Sequence, residues 1–153
     1  MNPYVIFLSV TGHDERAGWS AILVEPEGLF EEHQGVASSP DRAILWALRS
    51  TLLSVPDREQ LAVRTCDRHV LKWGEWLQAS EKDQAELPHQ DLLSVLLRKL
   101  STLELTWFDA TPYGEAGDSR AKSLAKEAFS SYTFSFPEEE ILYLTELLSA
   151  SLE

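Results

Sequence analysis

Apolar residues in this chain recur first with a period of two and then with a period near 3.6, and that change divides it into elements. Residues 4–10 (YVIFLSV) form a short β-branched apolar run, the pattern of a buried strand. Residues 18–25 (GWSAILVE) predict a second strand, and Pro26, Glu27 and Gly28 mark a turn into a third over 29–36. These three make an antiparallel meander. Ser38, Ser39, Pro40 and Asp41 announce a helix, with Ser39 as its cap and Pro40 in the first helical position. Ile44, Ala47, Leu48 and Leu52 then follow at helical spacing until Pro56 closes the segment.

The second half alternates helix and strand. Residues 61–66 (LAVRTC) predict a fourth strand, and Asp67 the cap of a helix running to about Gln78. Residues 79–88 are polar and acidic, the best place for a loop or insertion. Leu92, Leu93, Leu96, Leu97 and Leu100 line one side of a helix over 90–101. Residues 103–108 alternate as a fifth strand, 111–117 (TPYGEAG) are a loop, and Asp118 is placed as the cap of a helix carrying Leu124, Ala125 and Phe129. After a short aromatic run over 132–136, Pro137 and three glutamates open a terminal helix, with acidic side chains at the positive end of its dipole.

Three antiparallel strands followed by two helix-linked strands predict an α/β domain with a mixed sheet and flanking helices. Right-handed crossovers place the fourth strand beside the first and the fifth outside it, giving the order 3-2-1-4-5. The expected organisation is one domain over 1–131 and a C-terminal extension over 132–153.

Composition narrows the partners. The chain carries 13 basic and 25 acidic residues, a net charge of −12. Binding to a phosphate backbone draws on Lys/Arg density and counterion release, and no basic stripe is visible here, so nucleic acid is the less favoured partner. The single cysteine, Cys66, cannot form an internal disulfide, and neither CxxC nor HExxH-like spacing occurs, which argues against zinc. The opening residues MNPYVIFLSV have no basic leader, and no apolar stretch approaches the roughly 18 residues of a membrane span. A cytoplasmic protein is the expectation.

Five strings, in order and at compatible spacing, carry a resemblance to the type 1 ribonuclease H family. Ile6-Phe7-Leu8-Ser9 resembles its first strand, and Ala17-Gly18-Trp19-Ser20-Ala21-Ile22-Leu23 the glycine-aromatic start of its second. Asp41-Arg42-Ala43-Ile44-Leu45 is similar to an Asn-Arg-Met-Glu-Leu helix opening, and Thr65-Cys66-Asp67-Arg68-His69-Val70 to a Thr-Asp-Ser-Gln-Tyr-Val strand end. Arg120-Ala121-Lys122-Ser123-Leu124-Ala125 resembles the closing Arg-x-Asp-x-Leu-Ala helix. Together they carry the resemblance over roughly residues 4–129. The resemblance implies a ribonuclease H-like fold and, in the family, hydrolysis of the RNA strand of an RNA–DNA hybrid by two divalent ions held by carboxylates.

At the four positions where the resemblance implies those carboxylates stand Ser9, Ile44, Cys66 and Lys122, and the family's loop histidine falls near Thr111. Ile44 has no donor atom, and Lys122 places a cation where cations would have to bind. The expectation is therefore a catalytically inactive ribonuclease H-like protein, without cofactor, serving as an interaction or structural module for an unknown protein partner or by self-association. Two alternatives stand beside it. One is a non-catalytic binder of RNA–DNA hybrid. The other is an atypical ribonuclease H using magnesium or manganese on relocated ligands, for which Asp14, Asp67 and Asp109 are the candidates.

Several features have a plain and a sharp reading. Asp67 is most simply a helix cap, and Asp14 and Asp109 solvated charges. Cys66 with His69 three residues on has the spacing of an activated thiol, but a structural cysteine is the simpler reading. Trp73 and Trp76 form either a base-stacking platform or, as composition favours, part of the core. Trp19, Trp46 and Trp107 read as packing residues, and His13, His33 and His89 as exposed. In the terminal helix, Ile141, Leu144, Leu148 and Leu152 make an apolar stripe that packs on its own domain or forms an interface.

Overall fold

The computed structural model describes residues 3–13, 16–78, 81–109 and 116–131. Its elements run β1 (Tyr4–His13), β2 (Arg16–Val24), β3 (Phe30–Ala37), α1 (Pro40–Leu52), β4 (Gln60–Thr65), α2 (Arg68–Leu77), α3 (Glu81–Ala85), α4 (Gln90–Leu100), β5 (Glu104–Asp109) and α5 (Ala116–Ser131). The five strands form one sheet in the order β3-β2-β1-β4-β5, as the crossover argument requires. β1 pairs antiparallel with β2 and parallel with β4, β2 antiparallel with β3, and β4 parallel with β5.

Strand alternation assigns the two faces. Ile6 and Leu8 of β1, Trp19, Ala21 and Leu23 of β2, and Leu61 and Val63 of β4 join the main core with Ile44, Leu45 and Leu48 of α1, Trp73 of α2 and Leu93 and Leu96 of α4. The other face of β1 and β2 carries Phe7 and Ile22, which pack with Ala121 and Leu124 of α5. That helix sits very close to the sheet. A Cβ on Gly18 would lie 2.4 Å from the Ala125 carbonyl oxygen and 2.5 Å from the Phe129 nitrogen, so only glycine admits this approach. Ser20 Oγ donates to the Ala121 carbonyl in the same contact.

The predicted caps form. Ser39 Oγ accepts from the Arg42 amide at 3.2 Å, and Asp67 Oδ1 from the His69 amide at 2.9 Å. Trp19, Trp46 and Trp73 are buried, and Trp107 is half-buried against the same core. Trp76 meets Trp73 edge to face with ring centroids 4.9 Å apart. Trp73 is thus committed to packing.

Four expectations are corrected. β1 continues beyond Val10 through His13, because Thr11, Gly12 and His13 pair with Gly18, Ala17 and Arg16; the ladder, not apolarity, sustains the strand. The segment 79–88 contains a helical turn, Glu81–Ala85, tied down where Gln84 Nε2 donates to the Leu77 carbonyl at 2.8 Å and Gln90 Nε2 to the Gln84 carbonyl at 2.9 Å. Asp118 does not cap α5 but stands in its first turn; the helix begins at Ala116 because Gly117 lies flat on Phe7, whose ring a Cβ would meet at 2.5 Å. His33 and His89 are half-buried rather than exposed. His33 Nε2 lies 2.9 Å from Glu31, and His89 precedes α4 in the left-handed conformation at φ 64°. The side chain of His13 and the whole of 132–153, with Ile141, Leu144, Leu148 and Leu152, lie outside the described residues. Among the described residues no helix is long and apolar enough to cross a membrane.

Candidate functional site

The parallel strands β1 and β4 end at one edge of the sheet, where α1 and α2 begin. Between them lies a cleft of about 520 Å³ lined by Val10, Gly12, Ser39, Pro40, Asp41, Asp67 and His69. Sequence order explains the gathering. Ser39 and Asp67 are helix caps, so the residues beside them must lie at helix N-termini, and the crossovers bring both N-termini to the same edge.

Asp41, in the first turn of α1, organises the cleft. Its Oδ1 accepts the indole N–H of Trp73 at 2.7 Å and stands 2.5 Å from His69 Nε2. The contact joins α1 to α2 at their first turns. An ionised carboxylate only accepts, so the proton of a neutral His69 ring sits on Nε2 and its Nδ1 is the open acceptor. Asp67 is held on both sides: its amide donates to Thr65 Oγ1 at 3.0 Å and its carboxylate takes the His69 amide. Two carboxylates at two helix N-termini answer the positive dipole ends from within the chain. A second link between α1 and its surroundings runs from Arg42 to Asp91 at the start of α4, with two bonds of 3.2 and 3.0 Å. The Arg42 hydrogen bond holds the Asp91 carboxyl below the usual carboxylate range, against the opposing effect of desolvation.

The four positions marked by the resemblance do not meet in this cleft. Ser9 is buried, opposite Ser20 in the β1–β2 ladder and on the strand face that carries Phe7. Ile44 is wholly buried in the main core. Cys66 is half-buried just past β4, and Lys122 is exposed on α5. Of the alternative ligands, Asp67 lines the cleft. Asp109 ends β5 opposite Thr65, its side chain outside the described residues, as are Asp14 and Thr111. His69 turns Nε2 to Asp41 rather than to Cys66.

Sequence reasoning did not bring Asp41 to this cleft, and it assigned His69 only to Cys66. The available signal was position. Asp41 lies one turn before Ile44, and His69 two residues after a cap, so each stands in the first turn of a helix opening on this edge.

Among the described residues, the four side chains marked by the resemblance do not fit a divalent pair. An alkyl group, a buried hydroxyl, a thiol and an ammonium are not the converging oxygen donors that magnesium requires. In the cleft, one oxygen of Asp41 already serves two donors and one of Asp67 serves a helix amide. Among the described residues no group of three His, Cys, Asp or Glu side chains is placed to hold a metal ion.

The fold is shared with solved ribonucleases H. LC11 ribonuclease H1, solved in complex with an RNA/DNA hybrid, superimposes with a TM-score of 0.58 at 13 % identity, covering 84 % of this chain and 97 % of that one. Ribonuclease H1 from Halobacterium salinarum gives 0.55 at 17 %, covering 85 % and 99 %. The N-terminal ribonuclease H domain of a Mycobacterium tuberculosis protein, solved as a maltose-binding-protein fusion, gives 0.55 at 16 %, covering 84 % and 94 %. No protein-family model and no curated protein matches the sequence. The chain has a ribonuclease H-like fold.

Proposed function

We propose that this protein is a non-catalytic ribonuclease H-like module that acts by binding, with the Asp41–Asp67–His69 cleft as its working edge. The observation that carries this reading is Ile44. The resemblance puts it at the position of a metal-binding glutamate, and it is fully buried among apolar side chains and supplies no donor. The carboxylates that do line the cleft serve structural bonds, Asp41 to His69 and Trp73, and Asp67 to the start of α2.

Charge indicates the kind of partner. The chain is at −12, and two carboxylates line the cleft. A phosphate backbone would meet repulsion there, whereas a lysine or arginine side chain of a protein partner would find acceptors. A second reading, retained binding of an RNA–DNA hybrid without hydrolysis, draws on the likeness to the hybrid-bound LC11 enzyme.

One experiment separates the readings. Purified protein is incubated with labelled RNA–DNA hybrid in magnesium and in manganese, and binding is titrated at several salt concentrations. The proposal expects intact hybrid and no salt-dependent binding. Binding without cleavage that weakens steeply with salt would favour the second reading. Cleavage that disappears in Asp67→Asn would establish a nuclease with relocated ligands and overturn both.

A further inference from the structure

At the end of the sheet away from the cleft, β1 begins and β2 turns back into β3. Gly28, at φ 97°, completes that turn, its amide donating to the Glu25 carbonyl at 2.9 Å and the Glu25 amide to the Leu29 carbonyl at 2.8 Å. Hairpin turns are ordinarily built from small and polar residues. Here the two residues that follow the glycine are Leu29, 69 % exposed, and Phe30, 65 % exposed. A single exposed leucine is commonplace, whereas two large apolar side chains in succession at a turn make a patch. Register extends it across three strands. Phe30 lies opposite Val24, and Val24 opposite Val5, both valines half-buried on the same sheet face as Phe30.

The charge around this patch has one sign. Glu25 and Glu27 stand on the turn itself, and Glu59 immediately precedes β4 at the same end. Tyr4, the first residue of β1, registers their convergence: partial desolvation, then Glu25, Glu27 and Glu59 in turn, push its phenol up. The neighbouring acids are already paired, Glu31 with His33, Glu32 with Arg120 and Asp57 with Lys99. Among the described residues Glu25, Glu27 and Glu59 take part in no ion pair.

We infer that this turn is a docking surface for a segment of another protein that presents apolar side chains among lysines or arginines. Leu29 and Phe30 enter the apolar side of that segment, and Glu25, Glu27 and Glu59 meet its cations. Charge disfavours the other occupants. A second copy would bring the same carboxylates and another −12, and an anionic lipid surface or a nucleic acid would be repelled. The surface is distinct from the Asp41–Asp67–His69 cleft, which lies where β1 and β4 finish.

The test uses the full chain and a synthetic amphipathic peptide of leucine and lysine, with a leucine–glutamate peptide of the same pattern as control. The lysine peptide should shift the amides of residues 25–30 in isotope-labelled protein, and added NaCl should weaken its binding about tenfold. The glutamate peptide should leave those amides in place. Leu29→Ser combined with Phe30→Ser should weaken binding about tenfold or more without lowering the melting temperature, because both side chains are exposed. Glu25→Lys combined with Glu27→Lys should weaken it as much while leaving every apolar side chain in place, so the inference stays decidable if the serine variant unfolds. No binding of the lysine peptide overturns the inference, as does binding indifferent to the charge reversal or shared equally by the two peptides. Shifts confined to the cleft residues would support the cleft reading and overturn this one. A dimer in sedimentation that Phe30→Ser dissolves would assign the patch to a second copy and overturn it as well.

Discussion

Asp41 and His69 meet at 2.5 Å across the gap between the first turns of α1 and α2, and the same carboxylate oxygen takes the indole proton of buried Trp73. One side chain therefore holds two helices and satisfies a polar group inside the core. The best-placed carboxylate of the cleft has a structural task.

Removing that carboxylate strands the indole. Asp41→Ala should destabilise the fold by about 1–3 kcal/mol, the cost of leaving a buried donor unsatisfied. His69→Ala should cost less, because its ring is 43 % exposed and water replaces the lost partner. Urea denaturation of both variants checks the order, and equal effects would contradict the role given to Trp73.

A carboxylate at position 44, which the resemblance marks, should not create a site. Ile44 is fully buried, so Ile44→Glu places an unpaired acid among leucines and should cost on the order of 3 kcal/mol or more. Thermal melting measures the loss, and a variant as stable as the wild type would show that this position reaches the cleft.

Gly18 is the tightest backbone contact between the sheet and α5. Gly18→Ala should displace α5 and destabilise by about 2 kcal/mol or more, since the clash is with backbone and cannot be relieved by a rotamer change. Gly28→Ala is the control: nothing lies within 4 Å of its Cβ, and only the positive φ of 97° is disfavoured. Calorimetry of the pair should rank Gly18 first.

Acid should loosen the molecule through named pairs. The Arg42 hydrogen bond lowers the folded pKa of Asp91, and the Arg120 hydrogen bond lowers that of Glu32. A lowered folded pKa contributes stability that is present above the unfolded value, near 4 for a carboxylate, and is lost as pH falls through the folded value. Stability should therefore decline below about pH 4, by well under 1 kcal/mol per pair because these pairs are solvent-screened. Arg42→Gln should flatten that decline in a pH series of urea midpoints.

Much of this architecture was legible in residue order. Ser39-Pro40 and Asp67 announced helix starts, and both caps form. Capping is a local interaction, set by residues within one turn, so one stretch of sequence contains its cause. The sheet order followed from three consecutive antiparallel strands and the handedness of crossovers. The strings that resemble ribonuclease H were enough to identify the fold.

Tertiary structure alone decided which side chains line the cleft. Asp41 and His69 are 28 residues apart, and nothing in their local sequence tells a carboxylate which imidazole it will face. The extension of β1 through His13 depended on a partner strand, and the early start of α5 on the Phe7 ring beneath Gly117. Periodicity and caps are written within a few residues of the backbone they govern. A cleft is made where distant segments converge, and its contacts exist only once the chain has closed upon itself.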